Sequence, residues 1–322
     1  MTDRFDNIPE TAFDWHRAGK RAALATVVQT WGSAPRRVGS QLVISGAGEI
    51  EGSVSGGCVE GAVVAEALDA IEAGCSVLLE YGVSDGDAFA VGLACGGTIR
   101  VLVEPVGAVM PEDVLADLVA ARSARRPVAY VTGTNLKPRL TLEGYEERFR
   151  MDRSGFEEDG ETFVAIHNPP LRLIVVGAVH IAQALVPMAR VAGYDPVLID
   201  PRDSFGSQTR FPGETIVHDW SDEGVRAYGL DTRTALVLLT HDPKLDDPAL
   251  EAALGSDVFY IGALGSTRTH AKRVARLEGK GFTADQIARV HGPVGLDIGA
   301  AGPAEIAVSI LGEMTRVLRR GT

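Results

Sequence analysis

The fold is decided by residues 171–202, which read LRLIVVGAVHIAQALVPMARVAGYDPVLIDPR. The stretch opens with a continuous apolar run, Leu171–Val176, of the kind that forms a parallel strand buried on both faces. A helical pattern over residues 181–192 follows. A second apolar strand, residues 196–199, then ends at Asp200. Strand, helix and strand in this order predict one unit of a parallel sheet.

The same alternation continues further along the chain. Strands predicted at residues 235–240 and 258–261 each precede another helical pattern. Residues 169–322 are therefore expected to form a Rossmann-like, doubly wound parallel sheet. Residues 1–168 are expected to form a separate N-terminal α/β domain. The boundary falls within residues 152–170, where an acidic run and an Asn-Pro-Pro sequence cannot continue regular structure.

The N-terminal domain is predicted from shorter patterns. Its clearest helix is expected to begin at Cys58 and to end at Gly74, because apolar residues recur there at four-residue spacing. The other elements expected in this domain are helices at residues 8–18 and 112–121 and strands at residues 22–28, 40–45, 76–81, 98–106, 128–131, 139–142 and 163–167.

The charge balance limits the class of partner. The 322 residues include 31 Lys and Arg against 43 Asp and Glu, a net charge of −12. A general nucleic-acid binder needs a basic surface to displace counterions, so no nucleic-acid partner is expected. Residues 1–170 hold 25 acidic and 15 basic groups, whereas residues 171–322 hold 18 and 16. An anionic small ligand is therefore less disfavoured in the second half.

Cysteine usage predicts a cytoplasmic protein. The three cysteines are sparse and form no CxxC pair, which argues against a disulfide framework and against a zinc ribbon. The polar first residues lack the apolar segment of a signal peptide. The longest nearly apolar stretch, residues 173–189, is interrupted by polar residues and is too short to span a bilayer, so no membrane contact is expected.

Four chemistry-bearing segments stand at predicted strand ends in the second half. Ligands of open parallel sheets bind at the carboxyl ends of the strands, so the four are expected to share a crevice. The Gly177 segment opens a helix whose free N–H groups suit a phosphate, and Asp200 stands where an acidic residue would take a ribose hydroxyl. Ordinary strand-to-helix turns are the alternative for each segment alone. The segments are Gly177-Ala178-Val179-His180, Asp200-Pro201-Arg202, Thr240-His241-Asp242 and Gly262-Ala263-Leu264-Gly265-Ser266.

The first of these segments departs from the dinucleotide fingerprint G-x-G-x-x-G/A. Val179 stands where the second glycine would let the backbone approach a pyrophosphate. Its β-branched side chain is expected to crowd that approach. An NAD(P)-dependent oxidoreductase is therefore an alternative that the parallel sheet favours and Val179 opposes.

Glycine-flanked cysteines form a second group in the first half. Cys58 follows residues 52–57, GSVSGG, at an expected helix start, where the dipole and free amides favour the thiolate. Together with Cys95, which lies in an Ala-Cys-Gly-Gly turn, it offers ligands for a soft metal or a sulfur species. The alternative for each is a small buried hydrophobe, which is also the expectation for Cys75.

Two weaker patterns complete the candidates. Arg36 and the adjacent Arg37 suit a phosphate or carboxylate, with a solvated loop as the alternative. The set His180, His241, His291 and Asp242 has no metal-ligand spacing, so a resident metal site there is not expected.

Taken in order, the motifs resemble those of the xanthine dehydrogenase accessory family (XdhC/CoxI) from about residue 20 to residue 310. Single motifs are unspecific, but their ordered combination is specific. One departure is Val179, where the family usually carries glycine. The matching segments are Gly32-Ser33-Ala34-Pro35-Arg36, Gly56-Gly57-Cys58-Val59-Glu60, Cys95-Gly96-Gly97, Gly177-Ala178 with His180, Asp200-Pro201-Arg202, Thr240-His241-Asp242, residues 260–266 and residues 291–300.

The resemblance implies a maturation factor rather than an enzyme. Such a chaperone binds the molybdenum cofactor (molybdopterin, or its cytosine dinucleotide form), supports its sulfuration and delivers it to an apo molybdenum hydroxylase of the xanthine or carbon monoxide dehydrogenase type. The resemblance also implies a cysteine desulfurase as partner and a homodimeric state, and it implies that NAD(P) is not a cofactor. Cys58 and Cys95 are the expected molybdenum ligands. The cofactor contacts carried over are Arg36, Gly56, Gly57, Cys58, Glu60, Cys95, Gly177, His180, Asp200, Arg202, Thr240, His241, Asp242, Gly262, Gly265, Ser266 and Asp297.

A third interpretation, an interaction scaffold that keeps the fold without a ligand, also stays open at this point. Bound molybdenum and fluorescent pterin in the purified protein would distinguish the chaperone from the other two.

Overall fold

The computed structural model describes residues 7–34, 36–82, 97–133 and 136–321. The chain divides into two compact units, Met1–Pro169 and Pro170–Thr322, called here the N-terminal unit and the C-terminal unit. Within the described ranges, no helix combines the length and the apolar character that crossing a bilayer requires.

The N-terminal unit contains two antiparallel sheets with helices packed on them. The strand orders are β3-β2-β1-β5-β4 and β7-β6-β9-β8. The elements are α1 (Ile8–Arg17), β1 (Ala22–Trp31), β2 (Gln41–Ser45), β3 (Ile50–Gly52), α2 (Glu60–Ala73), β4 (Val77–Tyr81), β5 (Thr98–Pro105), α3 (Glu112–Ser123), β6 (Val128–Gly133), β7 (Leu136–Thr141), α4 (Glu146–Met151), β8 (Gly155–Phe156) and β9 (Thr162–His167).

Strand β1 is buried on both faces, and its alternating side chains join two cores. Ala23, Ala25 and Val27 pack with Val63 and other residues of α2. On the opposite face, Leu24 and Val28 pack with residues of α1 and α3. Because successive strand residues point to opposite faces, one apolar run serves both layers.

The C-terminal unit is the expected doubly wound sheet. Its strands lie in the order β12-β11-β10-β13-β14-β15, and every pair is parallel. The elements are β10 (Leu171–Val176), α5 (His180–Val191), β11 (Tyr194–Ile199), β12 (Thr215–Val217), α6 (Ser221–Tyr228), β13 (Thr234–Leu238), α7 (Pro243–Leu254), β14 (Tyr260–Ala263), α8 (Thr267–Gly279), α9 (Ala284–Ala288), β15 (Val290–His291) and α10 (Pro303–Arg320).

Helices cover both faces of this sheet, as the continuous apolar strands require. Helices α5 and α10 pack on one face, and helices α6, α7 and α8 pack on the other. The chain runs outward from β10 to β12 and then returns to β13 on the opposite side. The strand order therefore reverses between β10 and β13, which is where such sheets bind ligands.

Several predicted boundaries were wrong. Helix α2 begins at Glu60, not at Cys58, and the strand predicted at 235–240 already ends at Leu238. The strand predicted at 258–261 is β14, which runs to Ala263. Strands β3, β8, β12 and β15 and helices α4 and α9 were not predicted, because elements of two to six residues carry little hydrophobic periodicity. Helices α6 and α10 were not predicted either.

Candidate functional site

The carboxyl ends of the central parallel strands lie side by side at the point where the strand order reverses. Val176 pairs with Ile199 of β11 and with Leu238 of β13, so the three strands end level with one another. The turn after β10 packs directly on the turn after β13, since a Cβ added to Gly177 would lie 2.6 Å from Thr240 Cγ2. Gly177 also has φ +107°, a conformation that side chains rarely adopt. The expected convergence of these two segments is therefore present.

Asp200 ties together the turns after β10 and β11. Its side chain is fully buried, and Oδ2 accepts hydrogen bonds from the Ala178 amide (2.8 Å) and from Arg202 Nη2 (2.7 Å). Oδ1 accepts from the Arg202 amide (3.0 Å) and from Arg202 Nε (2.8 Å). Although burial raises it, these hydrogen bonds bring the pKa of Asp200 below its ordinary value. The carboxylate therefore holds the turns in place, and its expected contact with a ribose hydroxyl stays a prediction.

Two arginines and a phenylalanine form a cationic, aromatic surface at the end of β11. The Arg202 guanidinium lies 4.0 Å from the centre of the Phe205 ring, and Arg210 lies 5.8 Å from the same ring. Arg210 Nη1 donates to the Ala178 carbonyl at 2.7 Å, so this surface adjoins the Gly177 turn. Phe205 is 39% exposed. Sequence reasoning missed Phe205 and Arg210, which belong to no motif and follow no strand directly.

Helix α5 begins at this same edge. Its N-cap is Val179, which provides no side-chain hydrogen bond to the first turn, and its first residue, His180, is exposed. Uncapped N–H groups at a helix start, together with the helix dipole, suit an anion. Val179 is partly buried against the core of the unit, so its side chain occupies space at the helix entrance.

The Thr240 segment has mainly internal partners. Thr240 Oγ1 donates to Asp246 Oδ1 at 2.6 Å, and Asp242 caps α7 by accepting from the Lys244 amide at 3.0 Å. His241 is exposed and has φ +61°, which is uncommon for a residue with a side chain. Thr240 and Asp242 are thus used in hydrogen bonds within the protein, whereas the exposed His241 has neither of these roles.

The fourth segment is also largely structural. Gly262 lies inside β14 rather than after it, and an added Cβ would lie 2.5 Å from Val294 Cγ2. Ser266 caps α8 by accepting from the Thr269 amide at 3.2 Å, and Gly265 precedes it with φ +142°. Asp297 is exposed in the segment between β15 and α10. The structure therefore favours packing, rather than ligand contact, as the reason for Gly262.

In the N-terminal unit, the loop of residues 53–59 is wrapped around the Glu60 carboxylate. Oε1 accepts from the amides of Val54 (3.2 Å) and Ser55 (2.9 Å), and Oε2 accepts from the Gly57 amide (2.9 Å). The hydroxyls of Ser53 and Ser55 also donate to this carboxylate. Burial raises the pKa of Glu60, but the hydrogen bonds outweigh it and lower the pKa to about 2. The carboxylate therefore organises the loop through these hydrogen bonds, and its expected contact with a cofactor stays a prediction.

Cys58 is exposed at this loop, two residues before helix α2 begins. The amides that were expected to be free are bonded within the loop. The Gly56 amide donates to Ser53 Oγ at 2.8 Å, and the Cys58 amide donates to Ser55 Oγ at 3.0 Å. The Gly57 amide donates to Glu60. The loop therefore exposes the Cys58 thiol, but the amides of Gly56, Gly57 and Cys58 already have partners and are not available to a phosphate.

The neighbouring N-terminal motifs gather at the same end of the sheet. Arg36 Nε donates to the Ser53 carbonyl at 3.3 Å, which joins the arginine motif to the Cys58 loop. Gly97 packs on the backbone of Ser33, since an added Cβ would lie 2.8 Å from the Ser33 carbonyl oxygen. The motif that contains Cys95 therefore ends against the arginine motif, although Cys95 itself lies outside the described residues.

Two expectations about cysteines and metals can be compared with the structure. Cys75 is exposed, so its expected place in the core was wrong. It follows Gly74, which ends α2 in the left-handed conformation and turns the chain outward. Within the part of the chain that the structure describes, no group of three or more His, Cys, Asp and Glu side chains is placed to hold a metal ion.

Comparison with known proteins links both units to one family. The model of the "XdhC and CoxI family" matches residues 15–82, and the "XdhC Rossmann domain" model matches residues 173–314. The Escherichia coli (strain K12) protein called molybdenum cofactor insertion chaperone PaoD is 30% identical over 98% of this chain and 90% of its own length.

Two further similarities cover nearly the whole chain. A Bacillus subtilis (strain 168) protein, named for a probable role in xanthine dehydrogenase, is 26% identical over 94% of both chains. A crystal structure from Bacillus halodurans, described as a xanthine dehydrogenase, matches with a TM-score of 0.63 and 25% identity over 98% of this chain and 96% of that one. Both units thus occur together in these relatives.

Proposed function

Since the chain belongs to the XdhC and CoxI family, we propose that it binds the molybdenum cofactor as cargo and inserts it into an apo molybdenum hydroxylase. The observation that carries this proposal is the 30% identity, over almost the full length of both proteins, to a relative named for that insertion. The proposed clients are hydroxylases of the xanthine or carbon monoxide dehydrogenase type. The family relation supports them, because a second relative carries a xanthine dehydrogenase name.

Taken by itself, the C-terminal unit offers groups that suit a phosphate. The uncapped start of α5 supplies N–H donors, and Arg202 and Arg210 supply positive charge beside it. The centre of the Phe205 ring lies 4.0 and 5.8 Å from the two guanidinium groups, and Phe205 is 39% exposed, so its ring offers a surface on which a pterin or a cytosine can stack. A cytosine dinucleotide form of the cargo is proposed on this basis.

The N-terminal unit offers the soft ligand. A thiolate is a preferred ligand for a soft metal and a suitable group for sulfur transfer. Cys58 is exposed on a loop that is ordered by hydrogen bonds to the Glu60 carboxylate. We place Cys58 at the molybdenum end of the cargo, with Cys95 as the second candidate. We also propose that the protein supports sulfuration of the cofactor, with a cysteine desulfurase as partner. We further propose that it is a homodimer located in the cytoplasm.

The alternative function, an NAD(P)-dependent oxidoreductase, has less support. The parallel sheet favours it, but Val179 fills the helix entrance and Asp200 has both oxygens bonded within the protein. A ribose would have to displace Arg202 or the Ala178 amide to reach that carboxylate. Hydride transfer is therefore not part of the proposal.

The test is to purify the protein from cells with active molybdenum metabolism and to measure bound molybdenum and, after oxidation, fluorescent pterin. The unsubstituted protein is expected to carry both. Cys58→Ser keeps the size of the side chain but removes the soft ligand, so it should lower molybdenum retention and client activation without unfolding the protein. Cys75→Ser is the matched control, because Cys75 is exposed too.

Three outcomes would contradict these proposals separately. Absence of molybdenum and pterin from the unsubstituted protein contradicts cargo binding. Equal molybdenum content in Cys58→Ser and the control rejects only the role of Cys58. Recovery of a molybdenum hydroxylase and a cysteine desulfurase with the tagged protein is expected as well, and recovery of neither would contradict the proposed partners.

A further inference from the structure

Arg273 of helix α8 is a buried arginine whose hydrogen-bonding capacity is mostly unused. The residue is 2% exposed, and its Nη2 donates to the Leu264 carbonyl at 2.9 Å. Its Nε and Nη1 are buried without a hydrogen-bond partner. A buried charged group with unpaired N–H donors is strongly unfavourable, so such donors normally meet an acceptor.

The nearest carboxylate, Asp246, forms an ion pair with Arg273 but accepts no hydrogen bond from it. Asp246 Oδ2 lies 4.0 Å from Arg273 Nη2, beyond hydrogen-bond distance, while Oδ1 accepts from the Thr240 hydroxyl. Burial lowers the pKa of Arg273 and raises the pKa of Asp246, so both groups are poorly stabilised in their charged forms. Three residues further along α8, Arg276 makes the closed pair that Arg273 lacks, with bonds of 2.6 and 2.8 Å to Asp247.

A second buried polar atom on α8 lacks a partner one turn earlier. His270 Nδ1 is buried and makes no hydrogen bond, and it lies against Gly292, where an added Cβ would be 2.2 Å from it. Residues three apart share a helix face, so the unpaired atoms of His270 and Arg273 belong to one side of α8. Two buried polar groups without partners are thus concentrated on one helix face.

The position of Arg273 places this feature at the ligand-binding edge of the sheet. Leu264 follows β14 directly, and its amide donates to the Leu238 carbonyl at the end of β13 at 2.8 Å. The guanidinium bonded to Leu264 therefore lies at the carboxyl ends of these two strands. Leu264 and Gly265 are half-buried and Ser266 is exposed, so the segment that accepts from Arg273 at Leu264 extends from the protein interior to solvent.

We propose that Arg273 anchors an oxyanion subsite at the carboxyl ends of β13 and β14, which takes a phosphate group of a ligand when residues 264–266 move aside. A guanidinium donates well to phosphate oxygens, and a phosphate would supply the acceptors that Nε and Nη1 lack. His270 Nδ1 is the further polar group available to the anion. The identity of the phosphate as part of the cargo rests on the proposed function; the subsite itself rests on Arg273.

The test measures phosphate binding by the full-length protein. Inorganic phosphate and glycerol 3-phosphate are titrated at constant ionic strength, with chloride as the reference salt, and binding is followed by calorimetry and by the shift in Tm. A saturable rise in Tm is expected. Arg273→Met should weaken phosphate binding by about tenfold or more, the loss that one charge-assisted contact predicts. Arg276→Met on the same helix is the matched control and should keep the response.

The variants also separate folding from binding. Arg273→Met leaves buried Asp246 without its nearby cation and should lower the free energy of unfolding, which denaturation without phosphate measures. Arg273→Lys, which keeps the charge and loses the guanidinium donors, is the second variant and should also bind phosphate more weakly. Tighter binding of the ester than of inorganic phosphate assigns the subsite to a larger ligand, and equal binding assigns it to the free anion.

Two results would overturn the subsite. These are the absence of a saturable phosphate response in the unsubstituted protein, and an equal response in Arg273→Met and Arg276→Met. Either result leaves the molybdenum content of the purified protein unaffected, so it is distinguishable from failure of the proposed function. Conversely, a protein that binds phosphate through Arg273 but carries no molybdenum keeps the subsite and loses the proposed cargo.

Discussion

At the scale of single residues, Glu60 occupies the position that an anionic ligand takes in many glycine-rich loops. Backbone N–H groups that converge on one point bind anions, and here the anion is the protein's own carboxylate. Removing it would leave several buried donors without an acceptor. The order of the loop and the exposure of Cys58 thus depend on one side chain that a ligand need not touch.

Glu60→Gln tests this dependence. A Gln side chain has one oxygen instead of two and brings donors toward other donors, so the free energy of unfolding should fall by about 1–3 kcal/mol. Alkylation of Cys58, followed by site-resolved mass spectrometry, should change in rate because the loop loosens. Glu66→Gln, at an exposed position on the same helix, is the control. Equal stability and equal Cys58 reactivity in the two variants would contradict the role of Glu60.

In the C-terminal unit, Asp200→Asn is expected to lower the free energy of unfolding in the same way. With an amide at this position, only the side-chain oxygen can accept a hydrogen bond, so the donors of Arg202 and Ala178 can no longer all be paired. The substitution also removes the negative charge that pairs with the guanidinium. Breaking a buried, charge-assisted set of this kind should cost about 2–4 kcal/mol, measured by chemical denaturation. Asp203→Asn, with a side chain that is 93% exposed, should stay near the parent stability. A loss of similar size in both variants would refute the structural role of Asp200.

At the scale of elements, the start of α5 decides which ligands the crevice admits. Val179 has φ −93°, so the backbone there does not need glycine; a glycine would add space instead. Val179→Gly should therefore strengthen binding of NAD(H) and NADP(H), which we expect to be weak in the parent protein. Its cost to the fold should be small, since glycine is an acceptable N-cap. Calorimetric titration, with a cytidine nucleotide alongside, measures both proteins; tight NAD(H) binding by the parent would contradict the prediction.

The sequence predicted long elements better than short ones, for physical reasons. The β10 strand was predicted with both ends correct, because a parallel strand buried on both faces shows as an unbroken apolar run. The start of α2 was placed too early, because no sequence pattern shows that Ser55 and Glu60 already bind the amides before it. The site segments were located, but which side chains face inward depends on hydrogen bonds between distant residues. Asp200 is the clearest example, since its partner Ala178 precedes it by 22 residues.

At the scale of the whole molecule, acid should destabilise the protein in two overlapping pH ranges, of which the His167 range begins at higher pH. His167 is buried, and burial lowers its pKa to about 3 from an ordinary 6.5. The unfolded chain therefore binds this proton first, and the contribution of neutral His167 to stability is complete above about pH 6.5 and is lost as the pH falls towards 3. Glu60 and Glu313, each with a pKa of about 2, lose their contributions only below about pH 4.5.

His167→Gln should flatten the dependence of unfolding free energy on pH between about 6.5 and 4.5, where the carboxylates remain ionised. Urea denaturation at a series of pH values gives the slope directly. His180→Gln, at an exposed position, serves as the control and should keep the parent slope. If His167→Gln and the parent protein lose stability in parallel over this range, burial of neutral His167 is not the cause.

The loop around Glu60 has a consequence for the timing of cargo exchange. A ligand that must order a flexible segment gives up conformational entropy on arrival, and its departure is tied to the melting of that segment. Residues 53–59 already hold their hydrogen bonds to Glu60 and to one another. If Cys58 binds the proposed cargo, release would not require this loop to unfold, and the next molecule would meet the same surface. A carrier must release its cargo as readily as it binds it. A preordered loop suits this role, because its conformational entropy changes little on binding or on release.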